Sequence, residues 1–235
     1  MGRSTMTTLD PEMTGEELSG LREWIQTGEL KGQHLEIGTA AGGTLCFLMQ
    51  QYPSPEVRPK FVVVDTMLYF ANQLEVVKQN LANHNLSADA VDFRVTASAE
   101  ALADASAAGE RFDFILVDAS HKIRHVMADL RWLRLLNVGG LACFHDYSPN
   151  FRGVQWPLDR FLKRNGQFSH QGQAGSLLCI RREAASSRAE VNGRDRIWAY
   201  WWALFFQLGA SIRKRTNRLK RAKLNWANCS WTIWI

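Results

Sequence analysis

The chain has 235 residues, 46% of them hydrophobic and 22% charged. That size and balance suit one α/β domain with its own core and exclude a disordered or low-complexity protein. The net charge of +5 is unevenly spread. Residues 1–190 carry 19 Lys/Arg against 22 Asp/Glu, whereas residues 191–235 carry nine against the single Asp195, so any claim on nucleic acid or an anionic surface rests on the tail alone, and nucleic acid is not the expected partner.

The opening MGRSTMTTLD has no apolar stretch of the secretory kind, and Met6 stands where myristoylation requires Ser or Thr. Thr14 with Glu17 three residues on spells a capping box. Leu18, Leu21, Trp24 and Ile25 follow at helical spacing, predicting a helix over 14–27. Strands and helices then alternate: strand 34–37, helix 43–52, strand 61–65, helix 69–83, strand 91–95, helix 97–108, strand 112–117, helix 121–136, strand 141–144 and helix 153–164. Two late strands, 168–170 and 176–180, close the series. Continuous apolar strands separated by helices mean a parallel sheet covered on both faces, a doubly wound α/β fold. The last two strands are joined by too short a link for a parallel crossover and must pair antiparallel. Residues 1–28 read as an N-terminal helical segment, 29–182 as the domain, 183–196 as a polar linker and 197–235 as an aromatic, basic tail. Of the four cysteines, Cys46, Cys143 and Cys179 lie in apolar runs and read as buried free thiols; with no paired spacing that also includes Cys229, a reducing, cytoplasmic setting is expected.

The densest signal is Glu36-Ile37-Gly38-Thr39-Ala40-Ala41-Gly42-Gly43-Thr44. It follows a strand and opens a helix, where glycines let the backbone turn tightly and approach a ligand. The spacing is not that of a dinucleotide fingerprint, which speaks against a nicotinamide-dependent enzyme on a similar sheet. An acid two residues before the first glycine suits a cationic ligand, and the sulfonium and ammonium of S-adenosylmethionine both fit. Gly38, Thr39, Gly42 and Gly43 would form the turn, and Asp65, at the end of the second strand, is set to accept hydrogen bonds from a ribose. The competing structural roles are a turn cap for Glu36 and a helix cap for Asp65.

Two further strand ends carry chemistry. One strand ends in Asp118 with His121 three residues later, and the next ends His145-Asp146-Tyr147. Neighbouring parallel strands bring Asp118 and Asp146 to one cleft, where two carboxylates suit Mg²⁺. His121 could then take the proton from an acceptor hydroxyl. Asp118 could instead cap the helix that follows. His125 and Asp129 read as surface positions, Asp129 facing solvent or a basic neighbour, and Leu130, Leu133 and Leu136 read as core.

The run VDASHKIRHVMADLRWLRLLNVGGLACFHDY, residues 117–147, resembles the small-molecule O-methyltransferases of class I, in the branch of catechol, caffeoyl-CoA and macrolide-sugar O-methyltransferases. The likeness covers about residues 30–182. It implies a seven-stranded sheet of order 3-2-1-4-5-7-6 with strand 7 antiparallel. It further implies that Glu36, Gly38 and Gly42 hold the methionine end of S-adenosylmethionine, that Asp65 holds the ribose, and that Ser98 lies near the adenine. Asp118 and Asp146 would bind Mg²⁺ and His121 would be the base. The catechol-type enzymes have an Asn where Tyr147 stands, and the sugar-type enzymes a Glu where His145 stands. The metal site is complete only if His145 or water fills the gap. The acceptor is expected to be a small hydroxylated molecule.

The tail opens with a largely apolar run of 14 residues, 197–210, too short for a spanning helix, followed by Arg213, Lys214, Arg215, Arg218, Lys220, Arg221 and Lys223. Residues 197–223 could lie on a membrane surface; the alternatives are packing on the domain or on a second copy in a homodimer. A non-catalytic module tethered by this tail to a membrane or nucleic acid is the reading from another functional class.

Overall fold

The computed structural model describes residues 9–186 and 190–207. Helix α1 (Gly15–Thr27) precedes β1 (Gln33–Ile37), α2 (Gly43–Gln50), β2 (Phe61–Asp65), α3 (Gln73–Asn83), β3 (Val91–Val95) and α4 (Ser98–Ala107). Then follow β4 (Phe112–Val117), α5 (Ile123–Asp129), β5 (Leu136–Phe144), α6 (Arg152–Arg164), β6 (Phe168–Ala174) and β7 (Leu177–Arg182). Residues 193–207 form a further helix, α7. The sheet runs β3-β2-β1-β4-β5-β7-β6. β7 is antiparallel to both neighbours and the other pairings are parallel, the order and polarity that the resemblance implies.

The central strands are buried on both sides because both faces of the sheet are covered. Leu35, Ile37, Val62, Val64 and Ile115 face the layer of α4, α5 and α6. Phe61, Val63, Phe114 and Leu116 face α1, α2 and α3. Cys46, Cys143 and Cys179 are buried and free, as expected, and the last two sit opposite each other across β5 and β7. Cys229 lies outside the described residues.

The helix expected over 121–136 breaks in two. After α5 the chain tightens into a 3₁₀ turn, Leu130–Leu135, and β5 starts at Leu136. The end of this turn is held from a distance in sequence: the buried Arg182 guanidinium on β7 donates to the carbonyls of Leu133, Arg134 and Leu136, so its last acceptors are satisfied. Leu130, Leu133 and Leu136 are core, as read. Helix α7 crosses the expected boundary at 196/197. Its Trp198, Ala199, Trp202 and Phe206 pack against the domain, with Trp202 edge-on to Trp156 of α6 at 4.7 Å between ring centres.

Candidate active site

The ladders between β2, β1, β4 and β5 continue one residue beyond the strands. Gly38 N donates to Val64 O at 3.0 Å, Asp118 N to Ile37 O at 2.9 Å and His145 N to Val117 O at 3.1 Å. This extension puts the glycine turn, Asp118 and the His145-Asp146 pair side by side at the carboxyl edge of the sheet, where open α/β sheets bind ligands. A cleft of about 1060 Å³ opens there, at the upper end of the usual range for ligand pockets, ~300–1,000 Å³. Glu36, Gly38, Thr39, Gly43, Asp65, Ser98, Asp118, His121, His145 and Asp146 all line it. Gly42, the remaining expected residue, is the N-cap of α2 behind the wall.

The glycine turn is shaped by steric need. Gly38 has φ +84°, and a Cβ there would lie 2.3 Å from the carbonyl oxygen of Asp118. A Cβ on Gly43 would lie 2.4 Å from the carbonyl of Asp10, because the segment before α1 crosses the start of α2. That segment brings Asp10 and Glu12 to the cleft, a contribution that no motif in the sequence announces.

Glu36 is 1% exposed, and neither carboxylate oxygen has a hydrogen-bond partner among the described residues. It caps no turn. Burial pushes its pKa up to about 8; the nearby Thr39 hydroxyl, outside hydrogen-bond geometry, draws it down, and the charges of Asp118 and Asp65 push it further up. A lone buried acid calls for a donor or cation from a ligand. Asp65 instead accepts from Thr39 N at 3.0 Å and Met67 N at 2.7 Å, bracing the turn, and caps no helix, since the N-cap of α3 is Asn72.

Around β4 and β5 the charged groups interlock. His121 Nε2 lies 2.7 Å from Asp146 Oδ2, and the ring stands edge-on to Phe151 at 4.8 Å. His145 Nδ1 lies 3.1 Å from Asp118 Oδ1 and 3.5 Å from Asp146 Oδ2, while its Nε2 lies 3.5 Å from Glu17 Oε2. Burial alone would lower the His145 pKa, but the hydrogen bond to Asp118 and the charges of Asp118, Asp146 and Glu17 raise it to about 9. Asp146 has φ +60°, a left-handed conformation that Asp tolerates better than most residues, and this bend aims its carboxylate at His121. Asp118 does not cap α5, whose N-cap is Lys122 with no side-chain cap bond.

Glu17 was legible only as half of a capping box, and that box is present. It is also 3% exposed and accepts from Ser176 N and Oγ, tying α1 to the β6–β7 turn beside His145. Burial would raise its pKa, but the hydrogen bonds from Ser176 and Thr14 outweigh this and hold it near 2. The role of Asp129 needs correction. It is 4% exposed, faces the cleft rather than solvent, and meets no basic partner among the described residues. His125 is exposed and lines the cleft mouth, its Nδ1 2.9 Å from Ser120 Oγ.

Donor atoms of Asp118, His145 and Asp146 lie within 4.8 Å of one another. The set fits a divalent cation once His145 gives up its proton, and its nitrogen suits Mn²⁺, Fe²⁺ or Zn²⁺ better than Mg²⁺, which prefers oxygen ligands. Tyr147 takes no part, because its hydroxyl donates to Asp159 at 2.6 Å.

The family model for a methyltransferase domain matches residues 35–147, from the first strand to the end of this cluster. That match covers just under half of the chain. Solved structures share its fold. The O-methyltransferase of Bacillus cereus, in complex with SAH, is 18% identical at TM-score 0.57, over 72% of this chain and 82% of that one. TomG of Streptomyces achromogenes, an O-methyltransferase involved in tomaymycin synthesis and solved with SAM, is 17% identical at 0.58, over 73% and 82%. CalS11, a TDP-rhamnose 3'-O-methyltransferase of calicheamicin biosynthesis, is 15% identical at 0.54, over 70% and 78%. No curated protein matches the sequence. At such identities the likeness is one of fold, and neither it nor the methyltransferase family match favours the nicotinamide reading.

Proposed function

We propose that the methyltransferase domain transfers a methyl group from S-adenosylmethionine to a hydroxyl of a small-molecule acceptor. The observation that carries this reading is a partnerless, fully buried Glu36 beside a glycine turn, in the same cleft as the His121–Asp146 pair. Glu36 offers the sulfonium end a counter-charge, the Gly38 turn leaves room for backbone contact, and Asp65 stands where a ribose would be held. With a proton on Nε2 toward Asp146, His121 keeps its Nδ1 lone pair to take the proton of the acceptor hydroxyl. Asp146 orients the ring, and His145 steadies both carboxylates. When bound, S-adenosylmethionine supplies an electrophilic methyl group and a divalent cation at Asp118, His145 and Asp146 supplies a Lewis acid for the acceptor oxygen. The net negative balance of residues 1–190 favours a small acceptor over a nucleic acid. Titration calorimetry with S-adenosylhomocysteine tests the reading: micromolar binding supports it, and silence at high protein concentration overturns it.

The outer face of α7 supports a further partner. Ile197, Tyr200, Trp201 and Phe205 are exposed there. Arg124 stacks over Tyr200 at 5.3 Å, and the charges of Arg134 and Arg196 lie close enough to Arg131 to repel it. Seven more Lys/Arg follow in residues 213–223. Amphipathic aromatics edged with cations match an anionic membrane surface, and no described helix is long and apolar enough to cross a membrane. We propose on this basis a cytoplasmic enzyme that docks peripherally on a membrane. Co-sedimentation with phosphatidylcholine vesicles, with and without phosphatidylserine, is the test. Binding only to anionic vesicles, lost in Trp201→Ser, is expected. No vesicle binding, or a homodimer in solution dispersed by that substitution, overturns it.

A further inference from the structure

We propose that Asp129 reads the base of the cofactor, its free carboxylate oxygen accepting a hydrogen bond from the 6-amino group of adenine. This rests on the reading of S-adenosylmethionine as methyl donor. Asp129 ends α5 and reaches the part of the cleft next to Ala97, Ser98 and Ala128. One oxygen, Oδ1, accepts from Ser98 Oγ at 2.6 Å. The other has no hydrogen-bond or ionic partner among the described residues, although the side chain is more than nine-tenths buried. A carboxylate so placed pays a large desolvation cost unless a donor meets it. Asp129 lines the cleft, so a ligand bound there can bring that donor.

Ser98 is the weaker acceptor for the base, a neutral oxygen with one lone pair already engaged. Its single hydroxyl proton goes to Asp129, and its oxygen accepts the indole N–H of Trp132 at 2.9 Å. The serine is therefore a positioning residue, held by a fully buried tryptophan, and the acid behind it is the group that faces a ligand. The alanines on either side leave an apolar slot of the kind a flat purine fills. Burial raises the Asp129 pKa to about 6 against the opposing bond from Ser98, so the group is mainly ionised and a pure acceptor at neutral pH. An amino group at position 6 of the purine complements it. A carbonyl there sets acceptor against acceptor.

The experiment compares calorimetric binding of S-adenosylhomocysteine and S-inosylhomocysteine to the full chain and to Asp129→Asn. A hydrogen bond to a charged group predicts an adenosyl preference of ~10–100-fold in the parent chain. Asn can turn its amide to donate to the carbonyl, so the variant should lose most of that preference while binding of the inosyl compound holds or improves. Should the Asn chain fail to fold, Asp129→Ser removes the carboxylate with less bulk and is read the same way. An unchanged ratio in a folded variant overturns the proposal, as does a parent chain indifferent to the base. A parent that binds neither compound overturns the methyl-donor reading along with it, which separates the two failures.

Discussion

Replacing Glu36 by Gln tests the cofactor reading at its most exposed point. In the folded chain the carboxyl is fully buried and its pKa is raised from 4.5 to about 8, so the unfolded chain releases this proton first. The folded state then binds more protons than the unfolded state between those values, and stability falls as pH rises through that window. At about 1.4 kcal/mol per decade the loss is roughly 3 kcal/mol by pH 7 and on the order of 5 kcal/mol by pH 8. Glu36→Gln keeps the shape and cannot ionise, so its denaturant-derived stability should stay flatter across pH 5–8 and exceed that of the parent at pH 8. Binding should move the opposite way. A sulfonium or ammonium beside Glu36 favours the ionised form, so S-adenosylmethionine should expel close to one proton at pH 7. Calorimetry in two buffers of different ionisation enthalpy reads that proton directly, and Glu36→Gln should bind more weakly and release none. Parallel pH–stability curves for the two chains, or tight binding without proton release in the parent, would refute the argument.

Three other outcomes follow from the same cleft. His121→Ala should lower kcat by about 10²–10⁴ with the dissociation constant for S-adenosylhomocysteine unchanged; a full-speed variant would remove His121 as the base. Asp146→Asn should lower kcat likewise, and a chelator should do the same to the parent, with recovery on adding Mn²⁺ or Mg²⁺; turnover indifferent to chelation would rule out a cation at Asp118, His145 and Asp146. Gly38→Ala should destabilise the chain by at least about 1–2 kcal/mol from the left-handed backbone alone, with more from the collision with the Asp118 carbonyl. Thermal melting and cofactor binding read both parts, and a variant as stable as the parent would contradict the geometry of the turn.

The alternation of apolar strands with helices was enough to specify a doubly wound sheet, because period and burial are local properties of a sequence. The glycine spacing, the strand-end acids Glu36, Asp65, Asp118 and Asp146, and His121 were legible for the same reason: a parallel sheet carries every strand's end to one edge, so their convergence follows from the fold class. What lay beyond reach depends on contacts between segments far apart in the chain. Arg182 caps the 3₁₀ turn after α5 from 46 to 49 residues away, and Glu17 meets His145 only because α1 packs beside the β6–β7 turn. Asp129 looked like a surface acid because helical periodicity gives no sign of a neighbour such as Ser98, which turns it inward. Tertiary structure alone decided which acids are stripped of water, and desolvation is what separates the partnerless Glu36 and the half-satisfied Asp129 from the ordinary carboxylates around them.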